Sequence, residues 1–320
     1  LDPNLILRRP TAGDAPSVVD LVNAADAHDY GEVDMDIDDI RQDWAGLDLQ
    51  TDAWLVESAH GGELIGYASL TNKANVQLRA YVCVRPEQRR RGIGSELVRL
   101  VEARGQQLVP LAPADARVVL VGWLKGSSAP EMRWARTLGY EFRRSFLRMR
   151  IEMKQPPPAP DWPPGIGVRT YRPEDARSVF EVVEEAFSDH WGHVPSTFEE
   201  WRRRTRRTDF DPSLWSLAIE ADTIVGTSLC ETMADGGWVA SLCVRRPWRN
   251  RGVARAMLLH SFAEFWRRDR RTISLGVDAD SLTGATRLYE SVGMHTRQRY
   301  DQVGKVLRDG IDTETRTISA

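Results

Sequence analysis

Two stretches of this chain put arginine and glycine where they could hold a phosphate. One is Arg89-Arg90-Arg91-Gly92-Ile93-Gly94 and the other is Arg249-Asn250-Arg251-Gly252-Val253-Ala254. Each follows a short apolar run, Val82-Cys83-Val84 and Leu242-Cys243-Val244, and each opens a segment with helical apolar spacing. Amides in the first turn of a helix lack intrahelical acceptors and carry partial positive charge, so a strand that turns into a helix there can cradle a pyrophosphate. Gly92 and Gly252 let the backbone approach the anion, while Arg89, Arg91, Arg249 and Arg251 add cationic donors. No Gly-x-Gly-x-x-Gly follows a first strand and no Gly-Lys-Ser/Thr is present, so neither the dinucleotide fingerprint nor a P-loop is at hand.

The elements that must position these turns also occur twice. Leu7-Arg8 matches Val168-Arg169, and Asp14-Ala15 matches Asp175-Ala176. Tyr30-Gly31-Glu32-Val33 matches Trp191-Gly192-His193-Val194, and Leu138-Gly139-Tyr140 matches Val292-Gly293-Met294. An offset that drifts slowly along the chain is what small loop insertions in a duplicated domain produce. Between the copies, residues 155–165 are rich in proline, which lacks the backbone donor and reads as a stiff linker. The expected division is an N-terminal domain over 1–154, a linker over 155–165, a C-terminal domain over 166–310 and a tail over 311–320. In the second half the pattern predicts strands over 166–170, 215–220, 223–231, 237–244, 272–277 and 300–307. Helices are predicted over 175–187, 253–266 and 283–292, the last ended by Gly293. An antiparallel meander followed by one strand-helix-strand unit points to a mixed α/β fold, each domain a mostly antiparallel twisted sheet flanked by helices.

Composition narrows the function classes. The 43 basic and 46 acidic residues leave a net charge of −3, which argues against a protein built to coat nucleic acid or an anionic membrane. Cys83, Cys230 and Cys243 form neither a metal spacing nor an even disulfide framework, and they read as small buried side chains. No apolar run approaches a membrane span and no signal-peptide pattern opens the chain, so a reducing, cytoplasmic setting is expected.

The order strand, Arg-x-x-Gly-x-Gly/Ala, long helix resembles the acetyl-CoA signature of the GCN5-related N-acetyltransferases, a family abbreviated GNAT. The segment Ser281-x-x-Gly-Ala-x-x-Leu-Tyr-Glu-x-x-Gly293 resembles the family's second signature. The resemblance covers both halves. It implies that the strand carrying Leu242, Cys243 and Val244 splays from the strand 274–277, with pantetheine in the resulting V. The amides of residues 251–254 would then meet the pyrophosphate of acetyl-CoA, the expected co-substrate. It further implies that Tyr289 is the acid for the departing thiolate. The matching position of the first half is Ala135, with Trp134 where Leu288 stands, so the first domain keeps its phosphate turn and lacks the acid. Ser281 stands where the family often has Asn, which leaves a shorter reach to the cofactor arm. The tandem arrangement with a degraded first half is similar in architecture to the mycothiol synthase family, with no substrate-binding motif to accompany it.

On the acceptor side, His190, Trp191 and His193 lie on a loop between the first two helices and could bind a polar amine. Metal ligation by Asp189, His190 and His193 lacks further ligands, and no metal is expected. Glu231, at a strand end beside the cofactor strand, is the candidate base. The reading that follows is transfer of acetyl to a primary amine, the acceptor a small molecule and the protein a monomer or homodimer. A CoA-binding scaffold without turnover, a protein N-acetyltransferase and, from the tandem resemblance, mycothiol synthesis stand as alternatives.

Overall fold

The computed structural model describes residues 2–33, 35–126, 128–207, 209–233, 236–281 and 284–312. Among the described residues the chain forms two compact units whose borders do not follow the linker: one holds residues 2–145 and 300–312, the other 146–299. The expected division at 155–165 is thereby corrected. Each half of the sequence sends its last strand into the other unit. Residues 313–320 of the expected tail lie outside the described residues.

Unit 1 begins with β1 (Leu5–Arg8), α1 (Ala15–Tyr30), α2 (Ile37–Trp44) and α3 (Leu49–Asp52), then the meander β2 (Ala53–Ser58), β3 (Leu64–Lys73) and β4 (Gln77–Val84). It continues through α4 (Ile93–Leu108), β5 (Val118–Lys125), α5 (Ala129–Thr137) and the start of β6 (Glu141–Glu152). Its apolar faces meet in a core of Val18, Leu21, Val22, Ile40, Leu55 and Tyr67 under α1 and α2. The strand that completes it comes from the far end of the chain: Tyr300 to Arg308 pair antiparallel with Lys125 to Val118.

Unit 2 repeats the plan with β7 (Ile166–Thr170), α6 (Ala176–Phe187), α7 (Phe198–Arg202), β8 (Trp215–Glu220), β9 (Thr223–Met233) and β10 (Gly236–Val244). Then come α8 (Val253–Arg267), β11 (Thr272–Asp278), α9 (Ala285–Ser291) and β12 (His295–Arg308). Here β11 pairs antiparallel with β6, Thr272↔Glu152 through Asp278↔Phe146. Leu147, Met149 and Ile151 of β6 join Leu258, Phe262 and Phe265 of α8 in one core. Those alternating apolar residues satisfy the core of unit 2, which is the physical reason β6 belongs there. On the other sheet face, α6 and α7 bury Val179, Val183 and Trp201 against Trp215, Leu217 and Leu229. The proline-rich segment is docked, not a bare tether: Trp162 packs on the α8 cluster and edge-on to His260 at 6.1 Å.

Most predicted elements of the second half fall within a few residues of the observed ones. The helix expected over 283–292 is shorter, since Gly284 adopts φ +71 and starts α9 at Ala285; Leu282 and Thr283 lie outside the described residues. Gly139 and Gly293 take φ +83 and +92 at the ends of α5 and α9, the left-handed stop that glycine permits.

Candidate active site

In each unit one pair of parallel strands opens into a V. Strand β10 pairs with β11 only at Gly237↔Ile273 and Trp238↔Ser274. Leu242, Cys243 and Val244 lie beyond that pairing and are held from the other side by Ser228, Thr227 and Gly226 of β9. The edge of β10 that faces the gap is therefore backbone able to pair with an extended ligand. In unit 1, β4 and β5 pair at Gln77↔Val119, Leu78↔Leu120 and Arg79↔Val121 and then part. The splay expected from the sequence is present in both.

A helix N-terminus closes each V. Gly92 (φ +83) and Gly252 (φ +86) cap α4 and α8, and no side chain caps either helix. A Cβ placed on either glycine would meet no atom within 4 Å, so the space before both helices is open. Arg90 (φ +64) and Asn250 (φ +60) also have left-handed backbone. A turn of this kind aims consecutive amides at one point, the arrangement that holds a pyrophosphate. The residues fit the diphosphate of an acyl-CoA on that geometry.

The arginines of the turn have a different task from the one expected. The Arg249 Nε donates to the Val244 carbonyl at 3.1 Å, and its Nη1 lies 2.6 Å from an Asp189 carboxylate oxygen. In unit 1, Arg89 donates from Nε to the Val84 carbonyl at 3.2 Å and grips Asp29 with two bonds of 2.7 Å. These guanidiniums are therefore committed to bracing the strand end against the helix before it, a correction to their reading as phosphate donors. Arg251 and Arg91 pair with Glu220 at 3.2 Å and Asp2 at 2.9 Å while remaining well exposed. The sequence reading weighs Asp189 only as a metal ligand and does not single out Asp29, so neither is read there as the partner of these arginines. Their signal was the equal spacing of 60 residues to Arg89 and Arg249.

Asp189 is fully buried and also takes Arg246, at 2.7 Å. The Arg246 and then the Arg249 hydrogen bonds hold its carboxyl below the usual carboxylate range. A depressed folded pKa gives stability that is present above the unfolded value, roughly pH 4, and lost as pH falls through the folded value. Asp189→Ala is expected to lower stability by about 2 kcal/mol in urea unfolding at neutral pH, because two half-exposed guanidiniums recover water in part. A change under about 0.5 kcal/mol would show that the brace is idle.

Tyr289 projects from α9 into the core of unit 2, 8 % exposed. Burial, then the neighbouring Cys243, pushes its phenol up to about 12. Among the described residues its hydroxyl has no hydrogen-bond partner. Cys243 is itself buried on the gap strand, its Sγ 3.2 Å from the Ser241 hydroxyl, and burial raises its thiol to about 11. All three cysteines are free and buried. Ser281 accepts the Ala285 amide at 3.4 Å and so caps α9. Glu231 lies opposite Trp238 in the β9–β10 ladder, beside the last parallel pair, and Arg207 sits 3.5 Å from it.

His190 and His193 follow α6. Phe187 stacks beside both rings, at 4.4 and 6.4 Å, and the His193 Nε2 is 3.2 Å from Glu184. Burial, reinforced by His193 and Arg249 and opposed by Asp278, lowers the His190 pKa below the usual imidazole value. Those neighbours put His190 between the turn after β10 and the end of β11, at the mouth of the V. Trp191 is half-buried on the same loop. Asp189 is taken up by arginines, and among the described residues no group of three or more His, Cys, Asp or Glu could hold a metal ion.

The two Vs differ where chemistry would need them alike. Strand β10 carries an irregularity between Val239 and Ser241, whereas β3 and β4 pair without a break from Gly66↔Val84 to Lys73↔Gln77. Ala135, buried, replaces Tyr289, and the Trp134 indole donates to Ser95 at 2.9 Å. Lys125, from the far arm of the unit 1 V, donates to the Asp29 carbonyl and lies 5.4 Å from the Tyr30 ring. Unit 1 has instead a cavity of about 170 Å³ on its α2 face, walled by Tyr67, Tyr81 and Trp123.

The sequence profile of the acetyltransferase (GNAT) family matches residues 17–115 and 176–294. A mycothiol acetyltransferase of Thermobispora bispora is 32% identical over 241 residues, covering 73% of this chain and 77% of that protein. A GCN5-related N-acetyltransferase of Sphaerobacter thermophilus, 42% identical, superposes with a TM-score of 0.87 over 98% of both chains. A tandem GNAT protein from the clavulanic acid biosynthesis pathway shares the fold, with a TM-score of 0.70 at 16% identity over 96% of this chain and 100% of that one. Among the described residues no helix is long and apolar enough to cross a membrane. With both halves matched, each around its own V and glycine-capped helix, the chain belongs to the GNAT acetyltransferase family.

Proposed function

We propose that the chain transfers acetyl from acetyl-CoA directly to the primary amine of a small molecule, and that unit 2 does the chemistry. The observation that carries this reading is the inequality of the two Vs. In unit 2 the helix that follows β11 sets a buried tyrosine, Tyr289, beside the gap strand, whereas Ala135 fills that helix position in unit 1. Acetyl-CoA supplies the activated acyl group. The chain's part is to hold it on the open edge of Leu242, Cys243 and Val244, with the diphosphate before Gly252, Val253 and Ala254. Ser281 accepts the Ala285 amide at the start of α9, on the side where that arm would pass.

Glu231 is placed to take the proton of the entering ammonium, with Arg207 keeping its carboxylate in position. Tyr289 gives its proton to the departing sulfur, and burial keeps the phenol protonated across the working pH range. His190, Trp191 and His193 line the entrance on the α6 side, where the low pKa of His190 leaves it neutral at pH 7. The relatives named mycothiol acetyltransferase, with 32% identity over 73% of this chain in one case, favour a mycothiol-type acceptor as a second reading.

The test is release of free CoA thiol from acetyl-CoA across a panel of primary amines, with product mass as confirmation. Amine-dependent release and an acetylated amine are the expected result. Tight acetyl-CoA binding with no acetylated small amine would favour the scaffold instead, or a protein acceptor if N-termini are modified.

A further inference from the structure

Strand register gives the residues around each V a counterpart in the other unit. A Cβ on Gly237 would meet Phe265 of α8, and a Cβ on Gly105 of α4 would meet Leu78, so Gly237 and Leu78 both face the long helix of their unit. They belong to matching parallel pairs, Gly237↔Ile273 and Leu78↔Leu120. Three residues beyond those partners stand Gly276 on β11 and Trp123 on β5. On the neighbouring strands, Thr227↔Cys243 corresponds to Tyr67↔Cys83, Leu229↔Ser241 to Ser69↔Tyr81, and Glu231↔Trp238 to Thr71↔Arg79. Unit 1 thus carries Tyr67, Tyr81 and Trp123 where unit 2 carries Thr227, Ser241 and Gly276. It carries Thr71 where unit 2 carries the carboxylate of Glu231.

The three rings do not fill the space they enter. They wall the cavity of about 170 Å³, with Ile40 and Leu47 of α2 across from them. Tyr67 is buried, and the Trp44 indole fixes its ring by donating to its hydroxyl at 2.8 Å. The Tyr81 ring lies 5.9 Å from it at 49°. Tyr81 and Trp123 are each 41 % exposed, so two of the walls reach solvent. Asp43, Thr71 and Arg79 also line the cavity and are exposed, which puts its polar groups at the rim. One carboxylate and one guanidinium balance there and select no ion, while rings and aliphatic side chains form the interior, the usual plan of a small-molecule pocket.

We propose that this cavity is a binding site for a small neutral aromatic molecule, one ring system bearing a polar substituent. The ring packs among Tyr67, Tyr81 and Trp123, and the substituent points to the rim, where Thr71 offers a hydroxyl. An apolar cavity of about 150 Å³ takes benzene, so the volume here suits a phenol or an indole and excludes anything much larger. With Thr71 in place of Glu231 and Ala135 in place of Tyr289, unit 1 holds such a ligand without acylating it. Binding here does not depend on the reaction that unit 2 performs.

Calorimetry of the full chain without CoA tests this, with phenol and indole as probes and with cyclohexanol and tetramethylammonium as controls of similar size. Indole is expected to bind with a Kd of about 0.1–1 mM, the range a ligand that small can reach. Cyclohexanol lacks the π faces and tetramethylammonium brings a charge, and each is expected to bind at least about 5-fold more weakly. Two exposed positions supply the variants: Thr71→Trp fills the cavity, and Trp123→Ala removes a wall. Each is expected to weaken indole by about 5-fold or more, with the far-UV spectrum and thermal midpoint of the free chain matching the parent protein. Indole binding that both variants leave unchanged, or no binding of phenol or indole below about 10 mM, would overturn the site. Tighter binding of tetramethylammonium than of indole would overturn the neutral ligand and mark a cation cage instead.

Discussion

Tyr289→Phe is expected to lower kcat by about 10² to 10³-fold, the range of a lost general acid, with little change in acetyl-CoA affinity or in folding stability. The stability claim has a specific basis. The ring is buried in the unit 2 core, but its hydroxyl has no hydrogen-bond partner among the described residues, so phenylalanine keeps the packing and removes only the proton donor. The pH profile follows from the same burial. A phenol raised to about 12 stays protonated well beyond the range in which free tyrosine ionises, so the intact protein shows no loss of rate near pH 10. Steady-state kinetics over pH 6–10.5, with acetyl-CoA titrated by calorimetry, measures both. An unchanged kcat in Tyr289→Phe would remove the tyrosine from the mechanism.

The second large effect separates the two helix N-termini. Gly92 and Gly252 have nearly equal φ, +83 and +86, and equally open space at their Cβ positions. Leucine at either site therefore carries a similar backbone strain, roughly 1–2 kcal/mol. That common cost makes the pair self-controlled. Gly252→Leu puts its side chain where the diphosphate would sit, and turnover is expected to fall by about 10²-fold or more, with acetyl-CoA binding weakened in parallel. Gly92→Leu is expected to retain most activity, because Lys125 and Tyr30 already meet across the unit 1 V and Ala135 supplies no acid. A dead Gly92→Leu beside an active Gly252→Leu would reverse the assignment of the working unit.

Much of this was legible in the residues. The twin glycine turns are local patterns, and local patterns survive folding; the splayed strands and the contrast of Tyr289 with Ala135 came from the family resemblance that those turns carry. The strand exchange was hidden. Leu147, Met149 and Ile151 alternate as any half-buried strand does, and alternation states that a strand has a buried face without naming the sheet it joins. The arginines of the turn misled for a related reason. Arg249 looks like a phosphate donor until Asp189 and the Val244 carbonyl are seen to occupy it; Asp189 lies 60 residues away, and the Val244 contact is made by a backbone carbonyl that residue types do not reveal. The aromatic cavity of unit 1 could not be read at all, because Tyr67, Tyr81 and Trp123 stand on three strands that only register brings together.

The most direct measurement is a crystal structure of the full chain grown with CoA and, separately, with acetyl-CoA. The account predicts density in the V of unit 2, with pantetheine along Leu242, Cys243 and Val244, the diphosphate at Gly252 and the sulfur beside Tyr289. Acetyl-CoA bound in the V of unit 1 alone, with the V of unit 2 empty, would contradict it.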